Sequence, residues 1–143
     1  MIKNLLKTTV AVLGLAVSSV ALSFPEGSPK FFESFTEGSK AAAASSKPRV
    51  VVYSSTWCGP CQEMKSKVYP TAEVKPFHSK YEWIYVDIDK PENEKLVLEN
   101  QVDSIPRIDI LNASGEVVAK QVGEVSARNF SEYLLKGLAK TKE

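Results

Sequence analysis

The sequence predicts one α/β domain with a mixed central sheet flanked by helices. Three observations point there. A continuous β-branched run at Val50–Val52 leads into Tyr53–Ser55, the pattern of a strand buried on both faces. Helical and strand patterns then alternate, which implies parallel pairing, and a final hairpin adds antiparallel strands. The chain has 143 residues, enough for one ordinary domain and too few for two well-buried ones. Hydrophobic residues at 43% and charged residues at 24% are ordinary globular values, which sets aside a disordered, collagenous or polytopic membrane chain. With 18 Lys plus Arg against 17 Asp plus Glu there is no basic excess to hold a phosphate backbone, so nucleic acid is not an expected partner.

The amino terminus reads as an export signal over residues 1–23. Lys3 and Lys7 precede an uncharged run from Thr8 to Leu22 that is shorter than the ~20 residues of a membrane span. Small residues at Ala21 and Ser23 place cleavage before Phe24, with a site after Ala21 as the alternative. The mature chain then carries 16 basic and 17 acidic residues, because Lys3 and Lys7 leave with the signal. Residues 24–48 form a helix or linker extension. Ser28 and Pro29 are placed to open a helix whose buried stripe is Phe31, Phe32 and Phe35. Four alanines, Ala41 to Ala44, favour a second helix ending before Pro48, although the Ser-rich flank also suits a linker.

Residues 49–143 carry the main domain. After the strand at Val50–Ser55, Cys61, Met64 and Val68 recur at helical spacing until Tyr69 and Pro70 interrupt. A short amphipathic piece, Thr71 to Phe77, leads to a strand over Trp83–Ile88 with Ile84, Val86 and Ile88 on one face. Asp89 with Glu92 reads as a capping box opening a helix through Leu96, Val97 and Asn100. Arg107–Leu111, a turn at Asn112–Gly115 and Glu116–Val122 read as a hairpin. The last helix is capped by Ser126 and sets Phe130, Tyr133, Leu134 and Leu138 on one stripe. No internal repeat is visible.

The chemistry concentrates in Trp57, Cys58, Gly59, Pro60 and Cys61. Cys58 and Cys61 are the chain's two cysteines, so none remains to staple the fold, and with one histidine, His78, there are too few ligands for a structural zinc site. At a strand-to-helix junction, Cys58 lies among free backbone N–H groups that stabilise a thiolate. Three residues of helix rise ~4.5 Å and return to nearly the same face, so a Cys58–Cys61 disulfide forms and breaks with little backbone movement. Cys58 is expected to face solvent as the nucleophile, with Cys61 one turn inside as the resolver. Pro60 has no N–H to satisfy in the first turn, and Gly59 leaves room for a partner chain. Trp57 flanks the site as an apolar wall or serves as a core aromatic. A permanent structural disulfide is the plainer alternative, but so small a loop constrains the unfolded chain little. Asp87 and Asp89 lack further ligands and read as structural acids. His78 reads as a surface residue.

On these residues the chain resembles the thioredoxin superfamily over roughly Pro48 to Leu138. The Trp57–Cys61 motif is that family's active-site motif. Ile105 and Pro106 match its cis-proline loop, to which the resemblance assigns contact with the disulfide and pairing with substrate backbone. Gly115 and Gly123 match its hairpin glycine and a later glycine near the site. Residues 64–77 and the stretch before Lys47 and Pro48 are similar to the periplasmic domains related to the carboxyl-terminal domain of the membrane disulfide reductase. The chain departs from the family at Val52, where a buried Asp usually assists the resolving cysteine, and at Tyr85, where a lysine often accompanies it. Arg107 stands where Thr is usual; its guanidinium either favours the Cys58 thiolate or pairs in the surroundings of Asp109.

The signal places the mature protein in the periplasm or otherwise outside the cytoplasm, and with the resemblance it implies an exported thiol:disulfide oxidoreductase, expected to be monomeric and without cofactor or metal. It reduces protein disulfides or carries electrons, supplied by a membrane-embedded donor. The rivals are a disulfide oxidase or isomerase, and a peptide- or metal-binding module whose cysteines are inert.

Overall fold

The computed structural model describes residues 23–143, and residues 1–22 of the export-signal reading lie outside them. Alternation dictates the architecture. In the strand β2 (Arg49–Ser54), Val50 and Val52 enter one core cluster while Val51 and Tyr53 enter another, so both faces are covered. Strand β3 (Glu82–Asp87) repeats this, with Trp83 and Tyr85 on the first face and Ile84 and Val86 on the second. Strand β4 (Arg107–Leu111) runs antiparallel to β2 and β5 (Val117–Val122) antiparallel to β4, so the sheet is mixed. The order is β1-β3-β2-β4-β5, where β1 is Phe31–Phe32.

That first strand corrects the helix expected over Phe31, Phe32 and Phe35. Phe31 and Phe32 pair in parallel with Trp83 and Ile84. They follow the period of a strand: Phe31 joins the rings of Tyr69, Trp83 and Tyr85, and Phe32 packs on the other cluster. Helix α1 (Phe35–Ser45) starts after them, with the Glu37 amide donating to Ser34 Oγ at 3.3 Å, and ends before Pro48 as expected. It lies so close to β3 that a methyl on Gly38 would overlap Ile84.

Helix α2 (Gly59–Lys67) buries Cys61 and Met64, and α4 (Ala127–Lys140) buries Phe130 and Leu134 on the same side. The Asn129 amide donates to Ser126 Oγ at 3.2 Å, so Ser126 is the cap the sequence indicated. The piece expected over Thr71–Phe77 is a turn followed by a short 3-10 helix at Lys75–Phe77, anchored by fully buried Val74. On the opposite side, Leu96 and Val97 of α3 (Glu94–Glu99), like Ile88, Val102 and Ile105, pack against the cluster of Val51, Tyr53, Ile84 and Val86.

The capping box at Asp89 and Glu92 does not form. Pro91 opens a 3-10 turn over Pro91–Asn93, so the α-helix starts only at Glu94, and no side chain caps it. The Asp89 carboxylate is engaged elsewhere, as described below. Among the described residues no helix is long and apolar enough to cross a membrane.

Candidate active site

Strand register brings the site together. Ser54 lies opposite Asp87, Tyr53 opposite Arg107, and Arg107 opposite Val122. The segments after β2, after β3, before β4 and after β5 therefore share one end of the sheet. Cys58 follows β2 by four residues as the cap of α2, with extended backbone at φ −83° and ψ 105°. Cys58 and Cys61 form a disulfide with Cα atoms 5.2 Å apart. The Cys61 amide donates to Cys58 Sγ at 3.3 Å, which presents an N–H dipole to a thiolate formed there on reduction.

The expected difference in exposure is not present in this disulfide state. Cys58 is 5% exposed and Cys61 2%. What distinguishes the pair is position: Cys58 caps the helix and Cys61 sits within its first turn. Nothing lies within 4 Å of where a Cβ on Gly59 would point, so the approach over the helix start is open. Pro60 occupies the first turn, where its missing N–H costs nothing.

Trp57 is 68% exposed, which removes the core-aromatic alternative and leaves it beside the disulfide. Its ring is not held by packing alone. The indole Nε1–H donates to Asp89 Oδ2 at 2.8 Å, and its amide donates to Ser55 Oγ at 3.2 Å. Asp89, expected as a helix cap, is instead a site residue; its position just past the end of the strand beside the motif is the signal for it.

The Ile105–Pro106 peptide is cis. Pro106 is buried, one residue before the Arg107 that faces Tyr53, and the Gly123 amide donates to its carbonyl at 2.8 Å. Gly123 has φ +87°, a left-handed conformation that suits glycine, as does Gly115 in the hairpin at +90°. Ile105 is half-buried against the α3-side cluster.

Arg107 does not point at the disulfide. Its Nε and Nη2 donate to the two Asp109 oxygens at 2.9 and 2.8 Å, a bidentate pair with Asp109 wholly buried. Its Nη1 donates to the carbonyls of Asn100 and Gln101, bracing the segment that leads to Pro106. Of the two alternatives, pairing with Asp109 is the one realised. Val52 is buried opposite Tyr85, so an apolar residue fills the place of the family's acid. The Tyr85 hydroxyl donates to Ser54 Oγ at 2.6 Å, and burial is the main cause holding its pKa above the ordinary tyrosine value. His78 is half-buried rather than on the open surface; its Nε2 lies 3.2 Å from the Tyr69 carbonyl and its ring meets Trp83 edge-on.

None of the surface clefts is lined by Cys58 or Cys61; one of about 430 Å³ lies between α2 and residues 124–127, at Glu63, Lys67 and Glu124. One of about 500 Å³ sits between Pro48, Lys80 and Lys142, and another of about 420 Å³ between β5 and α4. Among the described residues no three His, Cys, Asp or Glu side chains are grouped to hold a metal.

The family model described as thioredoxin matches residues 33–136. Thioredoxin X, a chloroplastic protein of Arabidopsis thaliana, is 28% identical over 100 residues, covering 69% of this chain and 53% of its own. This chain thus spans about half that relative's length. Among solved structures, a thioredoxin from Thermus thermophilus is similar with a TM-score of 0.72 at 22% identity, covering 80% of this chain and 90% of that one. The carboxyl-terminal domain of DsbD from Neisseria meningitidis, in its oxidised form, is similar with a TM-score of 0.64 at 22% identity, covering 71% of this chain and 90% of that one. At these identities the two structures speak to the fold.

Proposed function

The chain belongs to the thioredoxin family, and from that premise we propose that it is a thiol:disulfide oxidoreductase that reduces protein disulfides or passes electrons through Cys58 and Cys61. One observation carries this reading: the cysteines are joined across the first turn of α2, at the sheet end that also holds the cis-proline segment. A disulfide that lines none of the clefts fits a macromolecular substrate better than a small molecule enclosed in a pocket.

In the forward direction the Cys58 thiolate attacks one sulfur of a substrate disulfide. The substrate S–S bond breaks, one substrate thiolate leaves and takes a proton, and a mixed disulfide forms. Cys61, as thiolate, then attacks Cys58 Sγ and releases the second substrate thiol. The substrate gains two electrons and the pair ends as the disulfide described above. Residues 1–23 act as an export signal, which places the pair in an oxidising compartment where a membrane-embedded donor must restore the dithiol. The protein works as a monomer and without cofactor.

The reduction potential of the pair, equilibrated against graded dithiol buffers and read by thiol alkylation, tests this directly. A value near the ~−270 mV of thioredoxins supports a reductase, and one near the ~−120 mV of a strong periplasmic oxidant reverses the direction. The absence of any reversible transition removes the redox reading.

A further inference from the structure

The four segments that meet at the redox end carry more acids than cations, with Glu124 sharing a cleft with Lys67 and Asp103 within the field of the buried Arg107. Residues 55–58, 88–90, 100–106 and 123–126 contain Asp89, Asp103 and Glu124, all exposed, and one cation, Lys90, which lies 3.8 Å from Glu33. Asp87 closes β3 beside them, its Oδ1 accepting from the Asp89 amide at 3.0 Å. The helix turns nearby add Glu63, already paired with Lys67 at 2.7 Å, and Arg128. Arg107 is buried against Asp109. Among the described residues no cation comes within 4.0 Å of Asp89, Asp103 or Glu124.

The second observation is the exposed indole. Its Nε1–H is committed to Asp89 Oδ2, which fixes the ring beside Cys58 and leaves Asp89 Oδ1 available to accept. No cation of the described chain lies over it; the ring-seated cations are Lys65 on Phe24 and Tyr85 and Arg107 on Tyr53. An aromatic face with a carboxylate at its edge is a receptor for an ammonium or guanidinium group, which gains from the ring and from the charge together.

We propose that Trp57 and Asp89 make this site selective for disulfides carried on basic polypeptide segments, a Lys or Arg side chain next to the substrate cystine lying on the indole and pairing with Asp89. Asp103 extends the negative field over the surface the segment crosses, since the nearby Arg107 is neutralised by Asp109, whereas Glu124 is offset by Lys67. Such a field speeds encounter with a cationic partner and weakens as salt shortens the Debye length from ~10 Å at 0.1 M to ~3 Å at 1 M. The proposal rests on the oxidoreductase reading above.

The test uses three peptides, each holding one disulfide and differing only in whether Arg, Gln or Glu flanks it, with kcat/KM for their reduction measured at low and high salt. The expected result is a preference of about tenfold for the Arg over the Glu peptide at low salt, falling to about twofold at high salt. Asp89→Asn keeps an oxygen for the Trp57 indole while removing the charge, and is expected to cut the Arg-to-Glu ratio about threefold; Asp103→Lys cuts it further. Equal rates, a preference for the Glu peptide, a preference indifferent to salt, or a ratio unchanged in both variants overturns the proposal. If none of the three peptides is reduced, the oxidoreductase reading falls, and this selectivity with it.

Discussion

The two ends of the sheet are built for different purposes. At the redox end the segments are short, carry the cysteine pair and cis-proline, and leave Trp57 and several acids exposed. At the far end, Pro48 enters β2, Lys80 precedes β3 and the Asn112–Gly115 turn joins β4 to β5. There the Arg49 guanidinium reaches Ser39 Oγ at 3.2 Å and the Ala113 carbonyl at 3.4 Å, while its Nε has no partner. The cleft of about 500 Å³ at that end offers more volume, yet it is lined by no nucleophilic cysteine. Reactivity here follows backbone dipoles and a strand-to-helix junction, and the size of a cavity is no guide to it.

The comparison predicts that changes at the redox end alter exchange, while changes to packing alter stability. The largest effect belongs to Cys58→Ser, which should reduce protein-disulfide turnover to the uncatalysed background with little change in the urea midpoint of the reduced protein. Cys61→Ser should complete the first step and stop, leaving a mixed disulfide that mass spectrometry resolves. Full turnover by Cys58→Ser would sink the assignment. Asp109→Asn tests the seam between the two purposes. It strands the Arg107 guanidinium in the interior, and removing one partner of a buried pair costs about 3–5 kcal/mol. Because Arg107 also holds the Asn100 and Gln101 carbonyls, the exchange rate should fall along with stability. Gly137→Ala separates the two: a methyl there overlaps the end of the buried Ile110 side chain, so Ile110 must repack at a cost of about 1–3 kcal/mol, while the reduction potential stays at its original value.

The sequence made the core legible because its periods are clean. Val50 to Tyr53 and Trp83 to Val86 alternate as strands do, and Phe130, Leu134 and Leu138 recur as a helix stripe does. The motif announced its own place at a strand-to-helix junction. Where local chemistry favoured two structures, the sequence was silent. Phe31, Phe32 and Phe35 suit a helix stripe as well as a strand, and only pairing with Trp83 and Ile84 decides between them. Asp89 has the composition of a cap, but Pro91 shifts the helix start and frees the carboxylate for an indole 32 residues back in the chain. The Arg107 choice was likewise tertiary, settled by a carboxylate two residues on that is buried on the same face. Local pattern fixes which face is buried, whereas partners distant in sequence fix what the polar side chains do.

The smallest predicted effect sits near the far end, where His78 links Tyr69 to Trp83 just ahead of β3. Burial lowers its pKa, with Lys75 adding in the same direction and the hydrogen bond to the Tyr69 carbonyl opposing. A histidine whose folded pKa lies below its unfolded value of ~6.5 takes up its proton first in the unfolded chain. Stability is therefore complete above about pH 6.5, declines as pH falls toward the folded pKa, and levels off below it. Urea unfolding between pH 7.5 and 5 should show this decline, and His78→Gln should remove its share of it. The reduction potentials of the two proteins should coincide at every pH in that range, since no titrating group at the far end lies beside the disulfide. A potential that diverged from wild type below pH 6.5 would show the two ends to be electrostatically coupled.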